Sequence, residues 1–446
     1  MGTPNAFVYL ALVAFPAAVA LCFLLLPPRR ALLATLIGGW LFLPHFDGQL
    51  RFSLFHTKAM YVPAVVLLGS IFFDSTRWRS FRPRWIDLPM VLLCAQPFVT
   101  ALNNSLGTYE AASAMFEAMM QWGAPYLLGR AYLGHARGLR DCATALVTAA
   151  IIYTPFCLWE FRMSPQLHFL TYGFRPWGFA QAVRYGGYRP SVFMQHGLAL
   201  GMFMTLATLV AYWLWRTGAL RRDSRIGLRC AILLVTTLLC KSTGAILLLF
   251  TGIAVLEATR RARTSLVVLT LALTPVAYCS ARLSNWSAEP LVSLSRRLSA
   301  ERAESLEFRI NNEDQLITKA KVRSWLGWGR FGRSFTYDDQ GQRDGGVTDS
   351  LWIIAFGVAG LVGLALLGVV LALPSLALLQ IFPGRHWADP RLAPASVFAV
   401  ATLLWALDNL LNNMMCPIYP AICGALLSLC AMAWTAKQGV PQHQFA

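Results

Sequence analysis

Charge is scarce in this chain. Of its 446 residues only 13 % are Asp, Glu, Lys or Arg, about half the usual share of a soluble protein. Acid is scarcer than base, with 21 Asp and Glu against 38 Lys and Arg. A single soluble core cannot hide a sequence that is 57 % hydrophobic, and soluble chains of this length divide into domains. The shortage of charge excludes a soluble enzyme. The wealth of apolar residues excludes a disordered or fibrous chain.

Recognisable cofactor motifs are also lacking. There is no His-Glu-x-x-His, no Cys/His cluster and no Asp-x-Asp pair, so no metal centre is expected. None of the ten cysteines forms a Cys-x-x-Cys pair. Most sit in apolar runs, where free cysteine packs as a small hydrophobe. Gly327-Trp328-Gly329-Arg330-Phe331-Gly332 fits G-x-G-x-x-G, but no strand–turn–helix unit surrounds it and no acidic partner follows. It reads as a turn that returns the chain to the membrane. Lys241-Ser242-Thr243-Gly244 lacks the preceding glycine-rich turn of a phosphate loop and reads as a hairpin tip. No cofactor is expected.

What the sequence has is length in apolar runs. A span takes about 17–25 apolar residues. Runs near 6–26, 31–44, 59–73, 87–102, 112–129, 138–160, 191–215, 226–239, 242–257, 264–280, 349–372, 395–413 and 418–436 give thirteen candidates. The fold class expected is all-α, a polytopic transmembrane helical bundle of about 12–13 spans. The short pieces at 31–44, 226–239 and 242–257 are the candidates for broken or re-entrant helices. The first run lacks a basic leader, and Pro27-Pro28-Arg29-Arg30 follows where a cleavage site would stand, so it reads as a retained span. Three regions result. Residues 1–280 hold the N-terminal spans, 281–348 form one long loop with amphipathic helix character near 295–322, and 349–446 hold the C-terminal spans.

The net charge of +17 then has a location. With thirteen spans, Arg29, Arg30, Arg77, Arg79, Arg82, Arg84, Arg130, Arg137, Arg216, Arg221, Arg222, Arg225, Arg260, Arg261, Arg263 and Arg385 fall on one face, the positive-inside side. The excess is therefore not a nucleic-acid footprint. The opposite face carries the loop 161–190 and the loop 281–348.

The loop 161–190 breaks the charge rule. It holds Arg162, Arg175, Arg184 and Arg189, no Asp or Glu, and a dense set of aromatic residues that includes Trp177 and Tyr188. Arginine binds phosphate in a bidentate fashion, and Tyr and Trp suit sugar faces or the headgroup belt. An external site for an anionic, phosphorylated, lipid-borne ligand is expected. The competing reading is snorkelling arginines in an aromatic belt. His196 opens the next helix, either as a structural residue or as a site residue. Asp349 stands before the span after the long loop, as helix cap or as general base. Asp408, Asn409, Asn412 and Asn413 cluster at the end of 395–413, lining a cavity or a solvated helix end.

Several short motifs stand in a characteristic order. Arg189-Pro190 precedes a span, Arg309 lies in the long loop at Glu307-Phe308-Arg309-Ile310, and a turn runs from Trp325 to Gly329. The exit at Asp349 leads into a glycine-rich helix containing Gly357, Gly360 and Gly363. In this order, over roughly 185–365, the chain resembles the O-antigen ligase and polysaccharide polymerase superfamily of bacterial inner membranes. The resemblance implies a metal-independent, inverting glycosyltransferase that acts on the periplasmic side. Its donor would be a glycan on undecaprenyl pyrophosphate, and its acceptor a sugar hydroxyl. Other polysaccharide assembly proteins and the lipid bilayer would be its partners, and nucleic acid would not. By resemblance, Arg189 and Arg309 hold the donor pyrophosphate. Arg175, Arg184, Tyr188, His196 and Arg323 are the further expected substrate-binding residues, and Asp349 the expected base. Ligases of the superfamily carry His-Asn where this chain has Asp349-Ser350. That departure favours a polymerase of exopolysaccharide, capsule or O-antigen over a ligase acting on lipid A core. A flippase or transporter of lipid-linked sugars is the alternative from another class; no repeat symmetry between halves supports it.

Overall fold

The computed structural model describes residues 2–46, 55–184, 186–220, 223–298, 300–337, 340 and 350–437. The chain begins with α1 (Ala6–Leu25), α2 (Pro28–Phe42), α3 (Lys58–Phe73) and the short α4 (Ser75–Ser80). Next come α5 (Leu88–Asn103), α6 (Thr108–Ala118), α7 (Ala124–Tyr132) and α8 (Ala136–Met163), with a π-helical turn at Met119–Gly123 joining α6 to α7. The short α9 (Leu167–Tyr172) precedes a small antiparallel hairpin, β1 (Val183–Arg184) with β2 (Gly187–Tyr188), in which Val183 faces Tyr188. Then follow α10 (Gly197–Thr217), α11 (Ile226–Leu239), α12 (Thr243–Ala262) and α13 (Leu266–Leu283). Two helices, α14 (Glu289–Leu298) and α15 (Ala300–Lys321), occupy the long loop, and α16 (Leu351–Ile381), α17 (Ala393–Asp408) and α18 (Ile418–Lys437) complete the bundle.

The protein is an all-α polytopic helical bundle. Among the described residues, eight helices are long and apolar enough to cross a membrane: α1, Trp85–Asn103, α8, α10, α12, α13, α16 and α18. The helices α3, α11 and α17 are apolar and shorter. Helical structure follows because a backbone in lipid must pair its own polar groups. The thirteen apolar runs all fall on helices, though their limits move. The run at 242–257 belongs to the unbroken 20-residue α12, and those at 31–44 and 226–239 are unbroken too. The interruption lies instead in α16, at Gly360 (φ 68°, ψ −166°).

Contacts at the helix ends sort the connections onto two faces. At one end Arg29 pairs with Asp141 (2.8 Å), and Arg130 grips Asp87 through Nε and Nη2 (2.7 and 2.9 Å). Arg77 donates to Ala131 O (3.0 Å), Arg260 pairs with Glu257 (2.6 Å), and Lys437 reaches Ile381 O (2.9 Å). At the other end Asn5 N–H meets Tyr172 O (3.1 Å), Lys241 Nζ meets Arg184 O (3.2 Å) and Arg309 meets Leu411 O (3.0 Å). The first is the basic end and the second the loop end. Between them α10 is the central helix, with Leu206, Leu209, Trp213 and most of its other side chains buried. On one flank α7 and α18 touch backbone to backbone. A Cβ on Gly129 would stand 1.8 Å from Ala421 O, and one on Gly424 2.1 Å from Tyr126 O.

The break in α16 is filled by protein backbone. Leu361 N–H donates to Ser324 O (2.7 Å) and Val362 N–H to Trp325 O (3.2 Å). In return Trp328 N–H donates to Gly357 O (2.9 Å) and Gly329 N–H to Val358 O (3.0 Å). From α5, Gln96 donates to Ala359 O (2.8 Å), Thr100 to Leu326 O (2.6 Å) and Asn104 to Gly327 O (3.0 Å). The turn at 325–329 thus supplies the partners that the interrupted helix lacks.

Candidate functional site at the loop end

The arginine-bearing segment is fastened by a buried carboxylate. Glu160, in the last turn of α8, is completely buried. It accepts hydrogen bonds from the backbone N–H groups of Leu167 (2.9 Å), Ser191 (2.9 Å) and Val192 (2.7 Å), so one side chain holds both the entry and the exit of the loop. Tyr153 OH accepts from Phe193 N–H (3.1 Å) and donates to Leu41 O (3.0 Å). The buried Lys58 donates to Leu43 O (2.6 Å) and Phe193 O (3.1 Å). His168 bridges the same region. Its Nδ1 lies 2.9 Å from Phe174 O, which can only accept, so Nδ1 carries the proton and Nε2 accepts from His45 N–H (3.1 Å). Burial, reinforced by the nearby Lys58 charge, lowers the His168 pKa to about 4.

Arg189 leaves this frame at the mouth of α10. Its N–H donates to Ala182 O (2.7 Å), and the residue is 4 % exposed. The Arg189 stem lies on Gly197: a Cβ there would stand 2.3 Å from Arg189 Cδ. His196 caps α10, its Nδ1 accepting from Leu198 N–H (3.1 Å). Nε2 is therefore the protonated nitrogen, and it faces Gln181 Oε1 (2.9 Å). The ring meets Trp177 edge-on at 5.6 Å. Burial first, then the positive fields of Arg189, Arg309 and Arg184, lower the His196 pKa to about 3. It is a neutral cap whose free lone pair is spent on the helix terminus.

Around His196 opens a small cleft of about 50 Å³, partly open to solvent, lined by Arg175, Trp177, Gln181, Arg189, Gln195 and His196 among others. The Arg175 guanidinium stacks over Phe179 (4.8 Å) and Phe169 (5.4 Å). Arg184 and Tyr188 flank the cleft through the hairpin. The Arg184 carbonyl receives Lys241, and the Tyr188 ring meets Phe179 at 6.1 Å. Lys241 is a hairpin tip between α11 and α12, and it also braces the arginine-bearing hairpin from below.

A second, narrow crevice with about 10 Å³ of free space is lined by Arg309, Glu313, Ser350, Ile353 and Leu411 among others. Arg309 Nη1 donates to Leu411 O (3.0 Å) and Asn412 Oδ1 (3.1 Å). Glu313, one turn further along α15, accepts from Arg282 (2.6 Å), Tyr278 (3.0 Å) and Trp352 (3.1 Å), pinning α15 to α13 and α16. Asn412 in turn donates to Asp408 (2.8 Å), and Gln195 reaches Asn413 O (3.4 Å). The connection after α17 therefore bridges the two clefts, and the polar cluster foreseen there is internal rather than a solvated helix end.

The expected residues divide accordingly. Arg175, Arg189 and His196 line the first cleft, Arg184 and Tyr188 flank it, and Arg309 lines the second. Arg323 lines neither. It stacks on Trp328 (4.5 Å) beside Lys319 (4.3 Å), at the far end of α15. Asp349 lies outside the described residues, and its neighbour Ser350 borders the Arg309 cleft. Sequence reasoning missed Glu160, Gln181 and Gln195. Glu160 carried a signal, as an acid within an otherwise apolar run; the two glutamines carried none. The arrangement presents fixed cations, aromatic faces and amide donors, which suits an anion with several oxygens attached to a sugar. Compared with known proteins, the chain matches no protein-family model and no curated protein.

Proposed function

We propose that the protein is a glycosyltransferase of a bacterial inner membrane, working at the periplasmic face. It transfers a glycan from undecaprenyl pyrophosphate to a sugar hydroxyl and so polymerises exopolysaccharide, capsule or O-antigen repeat units. One observation carries the reading beyond the sequence resemblance. Arg189 shares its cleft with Gln195, which reaches Asn413 O (3.4 Å), and Arg309 holds Leu411 O and Asn412 Oδ1 (3.0 and 3.1 Å) of the same connection, so two arginines remote in the chain converge on one segment at the loop end. In the reaction the bond from the anomeric carbon to the pyrophosphate oxygen breaks, and the acceptor oxygen attacks the opposite face and inverts the centre. The acceptor proton passes to a base, and undecaprenyl pyrophosphate leaves with the bonding electrons. Fixed guanidinium groups stabilise that departing charge with little reorganisation. The donor carries its own leaving group, so no nucleotide is required. His196 is unsuited to be the base, because its acceptor nitrogen is used by Leu198 N–H. Asp349 is the carboxylate we assign to that role. A flippase reading gains nothing from the interrupted helix, since backbone fills the gap in α16.

The test is glycan analysis of cells that lack the protein and carry variants of it. Loss of long chains with accumulation of short lipid-linked repeats, and intact lipopolysaccharide core attachment, is the expected result. Arg189→Ala and Arg309→Ala should each abolish long chains while the protein stays in the membrane. Asp349→Asn should be severely impaired. Near-normal polymer from both arginine variants overturns the assignment, and loss of O-chain attachment with lipid-linked polymer still made converts it to a ligase.

A further inference from the structure

The end of α15 and the turn after it carry three large, mostly exposed apolar side chains, of which Phe331 has the Arg330 and Arg333 guanidinium groups over its ring (4.8 and 5.8 Å). Val322 is 72 % exposed, Trp325 72 % and Phe331 73 %. Trp325 lies on a turn whose backbone is bound to α16, and whose next residues Leu326 and Gly327 are held by Thr100 and Asn104, so its exposure is built into the fold. Beside them stand two cations: Lys319 and Arg323 both lie over the Trp328 ring, at 4.3 and 4.5 Å, and Trp328 Nε1 donates to Lys319 O (3.0 Å). The position of the break in α16 gives this group a level. Residues 361–381 measure about 31 Å at 1.5 Å per residue, enough for a hydrocarbon core of about 30 Å. Trp325 O accepts from Val362 N–H, the second residue of that stretch. The exposed group therefore sits where the spanning part of α16 begins, at the boundary that tryptophan favours and where Lys and Arg meet lipid phosphates.

We propose that this surface is a lipid seat. Val322, Trp325 and Phe331 lie against lipid chains at the bilayer surface, and Lys319 and Arg323 lie level with the lipid phosphates. The long loop is then partly a membrane-contacting element, and the break at Gly360 marks the bilayer boundary on this flank. The inference needs only the spanning helices and is independent of the glycosyl-transfer reading.

A nitroxide on Trp325→Cys, in the full-length protein in phospholipid nanodiscs, tests it. The signal from the native cysteines of the parent protein is subtracted, and Glu304→Cys serves as the aqueous reference. Collisions with oxygen should exceed those with a water-soluble nickel chelate several-fold at 325, with the order reversed at 304. Nickel collisions at 325 matching those at 304 overturn the proposal. Low collision rates with both reagents also overturn it, because they mean that a second copy or another protein covers the surface. Val322→Cys gives an independent reporter if the first variant folds poorly. Lys319→Glu with Arg323→Glu should raise nickel collisions at 325 in discs of anionic lipid; no change overturns the phosphate assignment.

Discussion

His196 shows how a side chain that looks catalytic can be structural. Its two ring nitrogens are engaged, one by Leu198 N–H and one by Gln181. Replacing an N-cap by Ala costs about 1 kcal/mol. His196→Ala should therefore lower thermal stability modestly, and His196→Asn, which can still cap, should recover most of the loss. Polymer formation should follow stability in both variants, as measured by unfolding in detergent beside glycan output. The same chemistry gives a pH dependence. Burial lowers the pKa of His45 and His196 to about 3 and of His168 to about 4. The unfolded chain takes up protons near pH 6.5, well before the folded one. Stability at the loop end is thus full above about pH 6.5 and is lost progressively as the pH falls toward 4. Unfolding midpoints taken at about pH 7 and pH 5 should show the drop.

At the scale of the element, the interrupted α16 and the turn at 325–329 form one unit. Gly360 and Gly327 have φ of 68° and 71°, and an added Cβ would stand 2.2 Å from Trp325 O and 2.5 Å from the Val358 carbonyl. Gly360→Ala and Gly327→Ala should each cost about 1–3 kcal/mol or more, the range for a strained backbone site, since the atoms they would meet are backbone and cannot turn aside. Gly38→Ala, at a position with nothing within 4 Å, is the control and should be neutral. Protein yield in membranes and the unfolding midpoint both read the difference. Hydropathy marks α16 as one long apolar run. The break escaped sequence reasoning because the residues that fill it come from a loop some thirty positions earlier.

At the scale of the whole molecule, the fold separates support from the cationic site. Buried pairs such as Asp87 with Arg130 lie at the basic end, and the two clefts open at the loop end. If Arg189 and Arg309 act on one leaving group, the double variant Arg189→Ala with Arg309→Ala should be no worse than the poorer single variant. Turnover of a lipid-linked donor by purified protein measures this, and multiplied losses would mean that the two act at different steps.

Helix positions, the sorting of arginines and the odd character of the loop 161–190 were legible in the sequence. These are local properties: a backbone in lipid must pair with itself, and a run of side chains announces whether it can tolerate lipid. The linking of Arg309's cleft to that of Arg189 through the connection after α17, the role of Glu160 as the fastening of the loop, and the displacement of Arg323 to the other end of α15 were decided only by tertiary structure. Each depends on which remote backbone groups meet, and hydrogen bonds between segments more than a hundred residues apart, such as that from Arg309 to Asn412, leave no periodic trace in the chain.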